Sequence, residues 1–454
     1  MAPFKPQNMS NNSSITKEGL EIGRAQSLQA LACKIEPSIH MNPVLLKPES
    51  HRRSQIIVQG RVHSTIDSKD YINLKQTLMK PVMESFKHLA KTYDMIIIEG
   101  AGSPAEINLR RDDIANMGFA RRSNTPVVLI GDIDRGGVIA QLVGTRQVLA
   151  REDRAMIKGF IINKFRGTAE LFEEGYRYIE EQTGWEGFGI LPWTESAAHL
   201  PSEDSLSLTT SEVGKKGLLE VYYLALDKIA NFDDLDPLNN HPDIVVRPVK
   251  PGNPLPVRAD LVIIPGSKST RSDIEFIRKQ GWDHDLISYY RRGGRILGLC
   301  GGYQILGKDI HDLNGIEGNP GSQPGLGLLD VSTNMESEKN VGITHAKWRG
   351  NSFQAYEIHK GLTSGPDCDR CFAQTEEAGK WHNEGATSPD GRVQGTYLHG
   401  LFINDSFRSN YLTSIKENLA DYNYSNLVDN TLDQMAEHAE DHLHLDRMLN
   451  LMES

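Results

Sequence analysis

The stretch Gly298-Leu299-Cys300-Gly301-Gly302-Tyr303-Gln304 follows directly on the strand-like run Arg295-Ile296-Leu297 and sets one cysteine among three glycines. This arrangement reads as a sharp strand-to-helix turn, because a nucleophile held there needs backbone angles and close approach that a Cβ would obstruct. The amide after Cys300 can then face a developing oxyanion. Downstream, Gly395-Thr396-Tyr397-Leu398-His399-Gly400 ends a second strand-like segment on a histidine. Such a histidine can deprotonate a thiol and later protonate a leaving amine. A third run, Ala259 to Ile264, is a buried strand that closes in the loop Pro265-Gly266-Ser267-Lys268, and this loop is expected to supply a second amide at Gly266. Taken alone, the glycine-flanked cysteine also fits a tight turn around an inert thiol. The strand, elbow and histidine in this order favour the nucleophile.

The first half has its own strand-and-loop series. Tyr93-Asp94-Met95-Ile96-Ile97-Ile98-Glu99-Gly100-Ala101-Gly102 is a parallel-type apolar strand that delivers a carboxylate to a glycine-rich loop. Magnesium prefers oxygen ligands, commonly one or two carboxylates with phosphates and water, so Glu99 suits a direct or water-bridged ligand. Val127 to Gly137 and Gly159 to Gly167 repeat the pattern.

Together these segments resemble known enzymes. The order of loop, elbow and histidine is similar to the class I glutamine amidotransferases. Pro265-Gly266-Ser267-Lys268-Ser269-Thr270, the elbow with Gln304, Tyr356-Glu357-Ile358-His359-Lys360-Gly361 and Tyr397-Leu398-His399-Gly400-Leu401-Phe402 resemble the cobyric acid synthase branch. The resemblance implies a flavodoxin-like α/β domain in which Cys300 attacks the glutamine amide and His399 shuttles the proton. It places Gly266, Gly301 and Gln304 at the oxyanion and glutamine-binding positions. Many relatives carry a glutamate two residues after the histidine, whereas this chain has Leu401. A Cys300-His399 dyad is therefore expected, its histidine oriented by a group that the sequence does not identify. His359 is either a structural hydrogen-bonder or a substrate contact.

The front segments, with Pro3-Phe4-Lys5-Pro6-Gln7-Asn8 and Ala105 to Arg110, resemble the ATP-dependent synthetase domain of that family, which is similar to dethiobiotin synthetase. By that resemblance the fold is P-loop-like with a parallel sheet, Glu99 binds Mg²⁺, Asn163 recognises adenine, and Lys5 lies near phosphate or a substrate carboxylate. The implied reaction uses L-glutamine, ATP and Mg²⁺ to amidate peripheral carboxylates of adenosylcobyrinic acid a,c-diamide, giving adenosylcobyric acid in cobalamin biosynthesis. The tetrapyrrole is the substrate. Two alternatives stay open: a cobyrinic acid a,c-diamide synthase, or a remnant that is only a glutaminase or a non-catalytic corrinoid-binding protein.

One departure motivates the remnant reading. A synthetase of this kind should open with Gly-x-x-x-x-Gly-Lys-Ser/Thr, whose amides cradle phosphates, and none precedes Lys5. The nearest match, Gly302 to Asp309, ends in aspartate and lies inside the elbow and its helix. The sequence thus reads as lacking its first strand, phosphate loop and helix, either through a start placed too late or through true loss. Poor ATP binding is the expectation.

At 454 residues the chain has room for about two to three domains. We expect a truncated synthetase domain over 1–205, an amidotransferase domain over 216–410 and an acidic helical tail over 411–454. The boundary falls in the Ser-, Thr- and Gly-rich run from Pro201 to Gly217. The net charge of -11, without a basic stripe interleaved with aromatics, argues against nucleic acid. Short, broken apolar runs argue against a membrane span, and the polar amino terminus against a signal peptide. Four cysteines suit a reducing, cytoplasmic compartment. Cys368-Asp369-Arg370-Cys371 reads as two free thiols, and His438 and His442 as residues on a solvated helix face.

Overall fold

The computed structural model describes residues 1–49, 53–203 and 217–452, so most of the expected boundary run from Pro201 to Gly217 lies outside the described residues. The front half begins with β1 (Ala2–Phe4) and β2 (Gln7–Met9), then the hairpin β3 (Ser13–Ile15) and β4 (Glu21–Gly23), which leads into the helix Arg24–Ala32. It continues through β5 (Val44–Pro48), β6 (Arg53–Val58), β7 (Arg61–Asp67) and the long helix Ser68–Thr92. Then come β8 (Ile96–Ile98), β9 (Val127–Asp132), β10 (Ile157–Phe165) and β11 (Glu186–Pro192).

The parallel strands of this half form two pieces where a single sheet was expected. β1 pairs with β8, and β9, β10 and β11 form a separate parallel sheet; no strand among the described residues hydrogen-bonds to both. Packing joins them: on the helix Met117–Ser123, Phe119 belongs to the core under β1 while Met117 belongs to the core under β10. The rings of Phe4, Phe86 and Phe119 meet at 5.4 to 5.7 Å. A mixed sheet in the order β2-β5-β6-β7 and the β3-β4 hairpin add strands that the parallel pattern did not predict.

The second half runs through β12 (Leu219–Leu224), β13 (Ile244–Val249), β14 (Leu261–Ile264) and β15 (Ile296–Leu299). β16 (Asp309–Asp312), β17 (Gly321–Pro324), β18 (Ser332–Trp348) and β19 (Asn351–Ser364) follow. The last strands are β20 (Ala373–Glu377), β21 (Lys380–Glu384), β22 (Ala386–Thr387), β23 (Val393–Thr396) and β24 (Leu398–His399). The central sheet has the order β13-β12-β14-β15-β23-β22, parallel except for β22. Every residue of β14 and β15 is buried, which is why both read as uninterrupted apolar runs. A second sheet, dominated by the long antiparallel pair β18-β19, sets Tyr356 opposite His399.

The tail forms the helices Tyr424–His442 and Leu445–Asn450, the first capped by the Asn423 side chain accepting from the Asn426 amide. It docks on the front half: the His444 amide donates to Phe188 O at 2.8 Å. His438 is accordingly not on a solvated face; it is half-buried, and its Nε2 donates to Pro192 O at 2.9 Å, while His442 stays exposed.

Candidate active site

Ligands of open α/β sheets sit beyond the carboxyl ends of the strands. Here the segments leaving β12, β14, β15 and β23 bring Asp234, Ser267, Cys300 and His399 to one such end. Cys300 lies between β15 and the helix Gly301–Leu306 with φ 50° and ψ -108°, a strained conformation costing roughly 1–3 kcal/mol. The surrounding backbone imposes it: the Cys300 amide donates to Thr396 O at 2.8 Å and its carbonyl accepts from the Gln304 amide at 3.2 Å. The glycines are required by contact. A Cβ on Gly302 would lie 2.0 Å from Ile264 O, one on Gly298 2.6 Å from Gly302 O, and one on Gly301 3.0 Å from the Ser267 amide nitrogen.

His399 is buried, and its Nδ1 donates to Asp234 Oδ2 at 2.6 Å; Asp234 Oδ1 accepts from the Gly400 amide at 2.7 Å. A carboxylate only accepts, so this bond fixes the proton on Nδ1 and leaves Nε2 for the thiol. Burial opposes the imidazolium, yet the charge and hydrogen bond of Asp234, followed by those of Cys300, raise the His399 pKa well above its usual value. The expected dyad is thus extended by a carboxylate from the Phe232–Leu235 turn after β12. Leu401, at the position where relatives carry glutamate, is buried in the apolar core. The Tyr356 ring stacks on His399 at 5.4 Å, and Cys300 Sγ lies 3.6 Å from Ile358 O.

The other expected residues have more specific places. Gly266 allows His399 to lie close, since a Cβ there would be 3.3 Å from His399 Cε1. Its carbonyl accepts from the Ala230 amide. The Gly301 and Ser267 backbones approach closely at the elbow, the Ser267 nitrogen lying 3.0 Å from where a Cβ on Gly301 would sit. Gln304 lines the cavity, but its amide is spent on the protein. Its Oε1 accepts from Thr270 Oγ1 at 2.8 Å, while Nε2 donates to Lys360 O at 2.9 Å and Tyr397 Oη at 3.1 Å. These bonds brace Gln304 in the cavity wall, with its side-chain amide held by Thr270, Lys360 and Tyr397. His359 stacks on Tyr397 at 3.7 Å and sits 3.1 Å from Glu357 Oε2, so hydrogen bonding and stacking hold it in the wall.

A cavity of about 230 Å³ opens over Cys300 and His399, and both halves line it. Lys268 from the loop after β14 reaches Gln55 Oε1 at 2.9 Å and Glu49 at 3.7 Å. Burial, with Lys339 and Lys47 nearby, lowers its pKa to about 7. Lys47 pairs with buried Glu21, which Lys339 meets at 2.5 Å from the other half. These cations suit an anionic ligand group, and nothing in the local sequence pattern marked them except the Gly-Ser-Lys loop itself.

In the front half, Lys5 Nζ donates to Glu99 Oε1 at 2.8 Å and Glu203 Oε1 at 3.0 Å, and Gln29 Nε2 donates to Glu99 Oε2 at 2.8 Å. Burial works against the charge on Lys5, but Glu99 and then Glu203 outweigh it and hold its pKa above the ordinary value. Glu99 remains 41% exposed. No group of three His, Cys, Asp or Glu side chains among the described residues is arranged around an ion. One open carboxylate beside a lysine still fits a Mg²⁺ that takes most of its ligands from phosphates and water. Asn163 sits near the end of β10, opposite Asp132 of β9, and its Oδ1 accepts from the Lys164 amide at 2.8 Å.

Comparison with known proteins adds identity to this geometry. Residues 220–407 match the family described as CobB/CobQ-like glutamine amidotransferase domain, and residues 1–208 match that described as CobQ/CobB/MinD/ParA nucleotide binding domain. The chain is 54% identical over 455 residues to the cobyric acid synthase of Cereibacter sphaeroides, covering 99% of this chain and 93% of that protein. It is 54% identical over 451 residues to the cobyric acid synthase of Paracoccus denitrificans, with the same coverage. Similarity to the Bradyrhizobium diazoefficiens cobyric acid synthase is also 54%, over 99% of this chain and 92% of the relative.

Proposed function

Because the chain belongs to the cobyric acid synthase family, glutamine-hydrolysing amide ligases of cobalamin biosynthesis, we propose that Cys300, His399 and Asp234 are its glutaminase triad. The 2.6 Å bond between His399 and Asp234 beside a strained, glycine-flanked Cys300 carries the reading. His399 takes the Cys300 proton, and the thiolate attacks the side-chain amide carbon of glutamine. The oxyanion forms against the amides of Gly301 and Ser267. His399 then returns the proton to the leaving nitrogen, releasing ammonia and a thioester. Water, deprotonated by His399, cleaves the thioester to glutamate and regenerates the thiol. Lys268, Lys47 and Lys339 supply the positive charge for the glutamine α-carboxylate.

The nucleotide-binding match implies ATP use by the front half. There we assign Asn163 to the adenine, Lys5 to phosphate or substrate carboxylate, and Glu99 to Mg²⁺. Bound Mg²⁺ would neutralise phosphate charge during carboxylate activation. The amidated substrate is a cobyrinic diamide, specifically adenosylcobyrinic acid a,c-diamide, at four of its peripheral carboxylates. Among the described residues no helix is long and apolar enough to cross a membrane, and we place the reaction in the cytoplasm. The test of the triad is glutamine hydrolysis by Cys300→Ala. The reading expects at least about a 10³-fold loss with the fold intact; wild-type hydrolysis would refute it.

A further inference from the structure

The glutaminase triad is supported from behind by the front half of the molecule. Arg24, the first residue of the helix Arg24–Ala32, reaches across to Asp233, the immediate neighbour of Asp234, with Nε 3.1 Å from Oδ2. The Asp233 side chain is 1% exposed, so this charge has no access to water for screening. The contact is an ion pair rather than an aligned hydrogen bond, since neither Arg24 Nε nor either Asp233 oxygen has a hydrogen-bond partner. The hairpin leading into this helix makes a second contact. Ile15 packs on Tyr356 and Ile358, the residues that stack on His399 and face Cys300 Sγ. The same helix carries Gln29, which holds Glu99 Oε2 at 2.8 Å. One rigid element therefore joins the carboxylate assigned to the nucleotide site with the ion pair behind the histidine.

We propose that Arg24 is a positioning residue for glutamine hydrolysis, contributed by the front half. Its guanidinium neutralises Asp233, so that the adjacent Asp234 carboxylate acts on His399 without a second unpaired charge behind it. This rests on the Cys300-His399-Asp234 reading. The groups that face Asp233 are Arg24, Asp234, Asp236, His399, Tyr356 and Tyr424. Three are carboxyl groups when Asp233 itself is counted, and Arg24 is the fixed cation among them. Burial outweighs Arg24 and leaves the Asp233 pKa raised to about 6, and the guanidinium is what favours its charged form. At alkaline pH, where Asp233 stays ionised without its partner, removing Arg24 makes the surroundings of the triad more negative, which favours the imidazolium of His399. Removing the Asp233 charge while keeping Arg24 does the reverse.

The experiment is the pH profile of kcat/KM for glutamine hydrolysis by the full chain. Arg24→Gln should move the alkaline limb to higher pH by on the order of half a unit or more, with KM for glutamine within about twofold of wild type. Asp233→Asn should move the alkaline limb to lower pH. Arg24→Lys, and the double variant Arg24→Gln/Asp233→Asn, should lie near wild type. If Arg24→Gln does not fold, Asp233→Asn and Arg24→Lys still decide the matter. Unshifted limbs in the two charge-removing variants, or a double variant that fails to return, overturn the assignment, because a residue that only docks the halves would not produce shifts of opposite sign. Cys300→Ala is measured beside them: hydrolysis there sinks the triad itself, whereas its absence with unshifted limbs elsewhere sinks only Arg24.

Discussion

Asp234 contributes to His399 in two ways, by fixing the Nδ1 tautomer and by raising the basicity of the ring. Replacing it with asparagine keeps the size and removes the charge. Asp234→Asn should lower kcat for glutamine hydrolysis by about 10²-fold or more. The sign of the pH effect follows from the cause: with the carboxylate gone the imidazolium loses its support, so the alkaline limb of the rate profile moves to lower pH. Steady-state rates between pH 6 and 10 check both, and an unshifted limb with a near-wild-type kcat would contradict the role. Cys300 and His399 were legible in the sequence because each sits in a local pattern of glycine and strand. Asp234 was not, since it lies 165 positions before His399 and only the folding of the sheet brings them together. The one available signal was Asn231-Phe232-Asp233-Asp234, a cluster of acids after the first strand of its domain. For Gln304 the position in the motif was readable, but the hydrogen bonds that hold its side chain were not.

At the scale of elements, the elbow depends on how closely β15, β14 and the helix Gly301–Leu306 approach. Gly302 faces backbone, with a hypothetical Cβ 2.0 Å from Ile264 O, so no flexible side chain can move aside. Gly302→Ala should therefore destabilise the chain by about 1–3 kcal/mol or more and displace the Cys300 turn. Denaturant unfolding together with glutamine hydrolysis measures this; unchanged stability and activity would mean that the approach is looser than described. The strands β14 and β15 were legible because strands buried on both faces are continuously apolar. The mixed sheet β2-β5-β6-β7 was not anticipated, as its strands carry Lys47, Gln55 and other polar residues whose burial is explained only by partners elsewhere. The division of the parallel strands of the front half into two sheets likewise depends on hydrogen-bond partners, which strand patterns do not specify.

For the whole molecule, the interface between the halves is built from charge. Glu21 is held by Lys47 on its own side and Lys339 on the other, and these cations hold its pKa far below the carboxylate range although burial favours the neutral form. Buried charges persist only when paired, so the halves meet in a defined register. That register places Lys47, Glu49 and Arg53 of the front half in the wall of the cysteine cavity. Two-domain organisation was legible from length and motifs, but a glutamine cavity shared between domains was not, because the residues involved are far apart in sequence and carry no motif. The tail, read as an acidic helix, proves to be a strap returning to Phe188 and Pro192.

The central claim is that one chain hydrolyses glutamine at Cys300 and transfers its nitrogen to a corrinoid carboxylate. The most direct measurement supplies amide-¹⁵N-labelled glutamine, ATP, Mg²⁺ and adenosylcobyrinic acid a,c-diamide, with mass spectrometry of the corrinoid product. Wild type should incorporate ¹⁵N at the newly formed amides, while Cys300→Ala should incorporate none from glutamine yet still amidate with free ammonia. Labelled product from Cys300→Ala, or a wild-type chain that hydrolyses glutamine with ATP present and leaves the corrinoid unamidated, would contradict the account.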